Sequence, residues 1–315
     1  MQVTQRFAQL LTNNVSKVIV GKQDAVQLMM VAILCRGHVL IEDVPGVGKT
    51  TLASALARSL DCSFKRIQFT PDITPSDITG FSMANFKTGE LEYHPGMVMS
   101  QIVLADEINR TSPKTQSSLL EVMEEGQVSV DGVTYAMPKP FIVLATQNPV
   151  DFVGTYPLPE AQLDRFFMRI SIGYPSAEEE VDILERYTSG ARPMEELKPI
   201  CTSRDIVRLQ QEVEKVHAAR ELRVYISNIA AASRKSGALQ LGVSTRAAIS
   251  LLRAAQAAAL LDGRDYVRPE DVQRMAEPVL CHRLVLSPEA RMRNMTAQRV
   301  LNNVMGAVPV PVKAK

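Results

Sequence analysis

A chain of 315 residues has room for about two domains and a substantial core. With 35 Lys and Arg against 34 Asp and Glu, no charge excess draws it to nucleic acid or to an anionic membrane, and the lack of Trp argues against a stacking platform for single strands. The four scattered cysteines and four histidines form neither a zinc site nor a disulfide framework. No apolar run approaches a bilayer span and no leader pattern is apparent, so the cytoplasm is the expected location.

Residues 3–14 read as a helix with Val3, Phe7, Leu10 and Leu11 on one face. Val18-Ile19-Val20-Gly21-Lys22 follows, an apolar turn that suits a purine base or simply starts the next helix, which runs to about Cys35. Val39, Leu40 and Ile41 read as a buried strand, and Pro45, Gly46 and Gly48 as a tight loop. Lys49, Thr50 and Thr51 then open a helix whose apolar face includes Leu52, Leu56 and Leu60. Strand, glycine loop and helix in that order make a phosphate cradle, because N–H groups at a helix start point at an anion and the dipole favours it. The candidate nucleotide-binding residues are Pro45, Gly46, Val47, Gly48, Lys49, Thr50 and Thr51. Lys49 would reach the β- and γ-phosphates and the Thr50 hydroxyl would ligate Mg²⁺. Where the usual motif begins with glycine this chain has Asp43, which adds a negative charge near the loop.

After a strand at 64–69, residues 71–100 are broken by Pro71, Pro75, Gly80, Gly89, Pro95 and Gly96, with no helical period. A hairpin-like insertion projecting from the body is expected there. Ile102-Val103-Leu104-Ala105 then reads as a strand delivering Asp106 and Glu107 to the C-terminal edge of a sheet, where open parallel sheets bind ligands. Asp106 is suited to hold Mg²⁺ and Glu107 to polarise an attacking water. A helix at 113–125 and a hairpin around Asp131-Gly132 follow. A strand at 140–146 brings Gln147 and Asn148 to the same edge, where an uncharged amide can bond the water or the γ-phosphate; an Asn before Pro149 is also an everyday turn. Arg165, at the end of the next helix, reads by itself as a surface charge. A strand at 167–172 completes a parallel sheet of about five strands, and Pro175 marks a boundary.

Beyond it the chain is helical. Ser176 and Glu179 form a capping box, with Val181, Leu184 and Tyr187 on one face of the helix they start. Further helices are expected at about 203–217, 222–236 and 244–262, with another opened by Pro269. The organisation is α/β: an αβα sandwich over 1–175 with a hairpin insertion near 71–100, a smaller all-helical lid over 176–308, and a loose tail at 309–315.

Six ordered stretches, at 41–50, 105–110, 145–149, 160–166, 243–247 and 279–283, resemble the AAA+ superfamily and, within it, the MoxR group, across nearly the whole chain. The resemblance implies a sensor-1 role for Asn148 and an arginine finger at Arg165, inserted into the neighbouring subunit's ATP site. It implies that Arg246 is sensor 2, reaching back to the γ-phosphate of its own subunit, and that Val20 and Gly21 contact adenine. It further implies ATP or ADP with Mg²⁺, a six-membered ring, and a hairpin facing the pore or a partner. Chaperone-like remodelling of a protein client, often alongside a von Willebrand factor A domain protein, is the implied task. Two other readings stand beside an ATPase that remodels a partner. One is a nucleotide-gated binding scaffold with slow hydrolysis. The other is a nucleic-acid motor or loader, against which the balanced charge and the lack of a helix-turn-helix or zinc finger count.

Overall fold

Runs such as Val39-Leu40-Ile41 and Ile102-Val103-Leu104-Ala105 put apolar side chains on both sides of a strand, so their sheet has to be covered twice. The computed structural model describes residues 2–149, 154–188, 190 and 192–311. The first half contains, in chain order, α1 (Gln2–Ser16), α2 (Gln23–Leu34), β1 (Val39–Glu42), α3 (Lys49–Ser59), β2 (Phe64–Gln68), α4 (Pro75–Thr79), β3 (Gly80–Ala84) and β4 (Leu91–Pro95). It continues through β5 (Ile102–Asp106), α5 (Pro113–Glu125), β6 (Gln127–Val130), β7 (Val133–Ala136), β8 (Ile142–Gln147), α6 (Glu160–Leu163) and β9 (Met168–Ile170).

Five strands form one parallel sheet in the order β2-β5-β8-β1-β9. Side chains alternate between its two faces. Val39, Ile41, Ile102, Leu104, Ile142 and Leu144 join one core with α1, α2 and α3. Leu40, Val103, Ala105, Val143 and Ala145 join a second core, shared with α5. Because β8 lies between β1 and β5, the phosphate loop and the Asp106-Glu107 pair leave the same sheet edge two strand spacings apart, about 10 Å.

Within 71–100, β3 and β4 pair antiparallel, with Phe86 in the loop between them 97% exposed. The β6–β7 hairpin closes on Asp131 and Gly132, whose φ values of 50° and 80° are those of a primed two-residue turn. Tyr93 of the first hairpin stacks on Tyr135 of the second, with ring centroids 3.9 Å apart.

The second half contains α7 (Ala177–Thr188), α8 (Pro193–Glu196), α9 (Ser203–Lys215), α10 (Arg220–Lys235), β10 (Leu239–Leu241), α11 (Thr245–Leu261), α12 (Pro269–Leu280), β11 (Val285–Leu286), α13 (Pro288–Met292) and α14 (Ala297–Ala307). It is not purely helical, since β10 and β11 pair antiparallel. Strands of three and two residues are too short to show a period in sequence. Buried alanines on α11, among them Ala254, Ala255 and Ala258, let the backbones of neighbouring helices approach closely, and the lid shares one continuous core with α1 and α2. Two expected apolar faces differ from their patterns. Leu10 points to solvent while Phe7 and Leu11 are buried, and Val181 and Leu184 on α7 are 53% and 59% exposed. The side chains of Val3 and Tyr187, and the tail beyond residue 311, lie outside the described residues.

Candidate nucleotide site

From Glu42 the chain turns through Pro45, Gly46, Val47 and Gly48 into α3. Gly46 and Gly48 have φ of +86° and +88°, where a side chain would be strained. Gly48 is the N-cap of α3, and among the described residues no side chain caps that helix. The contrast is α5, whose Ser112 hydroxyl accepts from the Thr115 N–H. The first turn of α3, carrying Lys49, Thr50 and Thr51, therefore presents N–H groups to an open loop, which is what an anion requires. Nothing described lies within 4 Å of a Cβ placed on Gly46, so that side of the loop is clear.

Lys49 Nζ donates to the Asp43 carbonyl at 2.5 Å. Burial lowers its pKa, and the carboxylates of Asp43, Asp106 and Glu107 act in the opposite sense. The Asp43 carboxylate does not point into the loop. It accepts from Ser171 Oγ at 2.8 Å and from the N–H groups of Ile172 and Gly173 at 2.5 and 3.1 Å. Its charge is thus used to pin the segment after β9 to the start of the cradle, which explains how a carboxylate stands where the motif has glycine.

On the neighbouring strands, Thr146 Oγ1 donates to Asp106 Oδ1 at 2.6 Å and accepts from the Glu107 N–H at 2.9 Å. Arg66 on β2 donates to Asp106 Oδ2 through Nε at 3.0 Å and Nη2 at 2.6 Å. Glu107 takes the left-handed conformation with φ 59°, unusual for a residue with a side chain and found at sites that must aim a group. Its Oε2 accepts from Gln68 Nε2 at 2.7 Å and lies 3.3 Å from Arg110 Nε. Asn148, buried, follows the end of β8 between these acids and the loop. Arg66, Gln68 and Thr146 were not singled out from the sequence. Arg66 and Gln68 share a face of β2, but their partners on β5 emerge only from strand pairing. Thr146 had a faint signal, a hydroxyl closing an apolar run.

No group of three or more His, Cys, Asp or Glu is placed to hold a metal alone among the described residues. Mg²⁺ asks for less, one or two protein oxygens with phosphate and water completing its shell, and the Thr50 hydroxyl and the Asp106 carboxylate supply that donor chemistry.

The Val20-Gly21 turn lies beside the cradle, with Ile19 Cδ1 3.8 Å from a Cβ placed on Gly48. Gly21 has φ +73°, and Glu179 at the start of α7 occupies the space its side chain would need. Lys22 Nζ reaches the Tyr174 carbonyl at 2.8 Å and Glu179 at 3.8 Å, so this turn is held between the loop and the lid.

Arg165 and Arg246 lie elsewhere. Both pair with one carboxylate, Glu124 near the end of α5: Arg165 Nε at 3.3 Å and Arg246 Nη2 at 2.8 Å. The hydrogen bond from Arg246 and the charges of both guanidiniums lower the Glu124 pKa. This end of α5 is at the N-terminal edge of the sheet, because His38, just before β1, donates through Nε2 to the Met123 carbonyl at 2.9 Å. The four residues of β1, about 13 Å of strand, separate that edge from the phosphate loop. Arg246, expected at its own subunit's γ-phosphate, stands elsewhere here: α11, packed against α2, α9 and α12, carries it to the opposite edge, beside Arg165.

Residues 38–168 match the family model for the ATPase family associated with various cellular activities, and residues 231–304 match the AAA lid domain. Chaperone MoxR1 of Mycobacterium tuberculosis is 42% identical over 94% of this chain and 80% of its own length. The chain belongs to the MoxR family of AAA+ ATPases. MoxR of Paracoccus denitrificans is 32% identical over 93% of both chains, and YeaC of Bacillus subtilis is 53% identical over 95% of this chain and 93% of its own. A crystal structure of a Cytophaga hutchinsonii protein superimposes on this chain with a TM-score of 0.92 at 37% identity, covering 99% of this chain and 97% of that one. No described helix of this chain is long and apolar enough to cross a membrane.

Proposed function

We propose that this chain hydrolyses ATP to ADP and phosphate, with Mg²⁺, and uses the cycle to remodel or mature a protein partner in the cytoplasm. One observation carries the reading: an uncapped helix start with Lys49 faces the Asp106-Glu107 pair on the same sheet edge, across a single strand. Lys49 would exchange the Asp43 carbonyl for β- and γ-phosphate oxygens. Glu107, aimed by its backbone and held by Gln68 and Arg110, would orient the attacking water and accept the proton it releases. Asn148 would fix that water or the γ-phosphate from between. Thr50 and Asp106 would hold Mg²⁺, which neutralises charge on the transferring phosphoryl group. Val20 and Gly21 would flank the adenine.

The arginine pair is at the wrong edge for its own site, and this supports action on a neighbour. In a closed ring, a head-to-tail interface can set the Arg165 and Arg246 edge of one subunit against the loop edge of the next. An arginine finger supplied in trans is worth about three to five orders of magnitude in rate. Hydrolysis then depends on assembly, and a hexamer is the ring the family suggests. The chaperone name of the Mycobacterium tuberculosis relative and the exposed Phe86 hairpin support a protein client; a von Willebrand factor A domain protein is the candidate suggested by family resemblance. The test is turnover of purified protein beside Glu107→Gln. That variant should bind ATP as the wild type does and hydrolyse it at least about 100-fold more slowly. Equal turnover by the two would remove the reading.

A further inference from the structure

The stretch at 279–283 takes no part in the cradle, yet it contains a buried cation. Arg283 is 8% exposed, in the short 3₁₀ turn that follows α12. Its Nη1 donates to the Val279 carbonyl at 2.9 Å. Its Nη2 donates to the carbonyls of Phe166 at 2.7 Å and Asp164 at 3.4 Å, and its Nε is 3.0 Å from Asp164 Oδ1. His282 Nε2 donates to the same Phe166 carbonyl at 3.1 Å. The residues on either side of Arg165 are thus held by one guanidinium of the lid. A second lid arginine, Arg246, meets Arg165 itself through Glu124.

Burying a guanidinium is costly unless its charge and donors are met, and well-packed apolar side chains usually serve stability as well. The Arg283 contacts instead define a position. We propose that Arg283 is the positioning residue of the arginine finger: through Asp164 and the Phe166 carbonyl it sets where Arg165 stands, so each subunit's lid governs hydrolysis in its neighbour. The inference rests on the reading of Arg165 as a group that acts in trans. A lid that shifts with its own nucleotide would carry this turn with it, and a misplacement of about 1 Å can cost about 100-fold in rate. Neighbouring sites would then be coupled through the lid.

The test is complementation between full-length variants. Arg283→Lys keeps the charge but loses the planar fork that serves Asp164 and the carbonyls together. Alone it should turn over ATP about 100-fold more slowly than the wild type, with nucleotide affinity within about twofold. Mixed in equal amounts with Lys49→Ala, which lacks a working cradle but has intact arginines, it should recover at least tenfold over either variant alone. Mixed with Arg165→Ala it should not recover. A misfolded chain or a damaged cradle cannot be rescued in this way. Wild-type turnover by Arg283→Lys would overturn the proposal. So would a flat mixture with Lys49→Ala while Arg165→Ala plus Lys49→Ala recovers. If that last pair also stays flat, the trans reading of Arg165 has failed and takes this inference with it. Should Arg283→Lys give no cooperative melt, Asp164→Asn decides in the same mixtures, since it removes the ion pair and leaves Arg283 on its carbonyls.

Discussion

At Asp43 the carboxylate accepts from Ser171 Oγ and from two backbone N–H groups, at Ile172 and Gly173. Removing it leaves buried donors without an acceptor, and hydrogen bonds to a charged group are worth about 1.5–3 kcal/mol each. Asp43→Gly, which restores the usual motif, should therefore lower the unfolding free energy by about 3 kcal/mol in urea titrations. An unchanged midpoint would show that the contacts to 171–173 contribute nothing. Glu107 illustrates the same scale from the functional side. Its residue type was legible as an acid after an apolar run; its left-handed backbone and its bonds to Gln68 and Arg110 were not, because they depend on which strands adjoin β5.

Among the elements, those with local punctuation were read to within a residue or two. Ser112, Pro113 and Gly126 bracket α5, and Asp131-Gly132 closes the β6–β7 hairpin. Local rules failed where a neighbour decides the outcome. Val181 and Leu184 make a good apolar stripe, yet both are more than half exposed. The short β10 and β11 exist only because they meet each other. The Val20-Gly21 turn joins both kinds, since its glycine was visible while its contact with Glu179 was not. In Gly21→Ala the new methyl would collide with the Glu179 carboxyl at φ +73°, at a left-handed strain of about 1–2 kcal/mol. Nucleotide affinity, read by titration with a fluorescent ATP analogue, should fall about tenfold. An unaltered Kd would remove this turn from the binding site.

For the whole molecule, two buried histidines link stability to pH. His38 Nδ1 accepts from the Val143 N–H at 2.9 Å while Nε2 donates to Met123, an arrangement only the neutral ring can make. Burial pushes its pKa down to about 4, and that of His282, where the Arg283 charge adds to burial, to about 3. The unfolded chain, near 6.5, takes up these protons first, so their contribution is complete above about pH 6.5 and is lost as pH falls towards 4 and below. Unfolding free energy should drop by on the order of 2–3 kcal/mol between pH 6.5 and 4 on account of His38. His38→Gln should flatten that slope, and a slope unchanged by it would assign the effect elsewhere.

The order of strand, glycine loop, acidic strand end and helical half was determined by sequence alone, because each is written in neighbouring residues: apolar period, turn chemistry, caps. With that order came the candidate phosphate cradle and the acids beside it. Where the two arginines stand was decided by tertiary structure. The lid packs on α1 and α2, and that docking puts Arg246 beside Arg165 at the sheet edge opposite Lys49. No local pattern contains it, since it arises from the packing of surfaces more than a hundred residues apart in the chain.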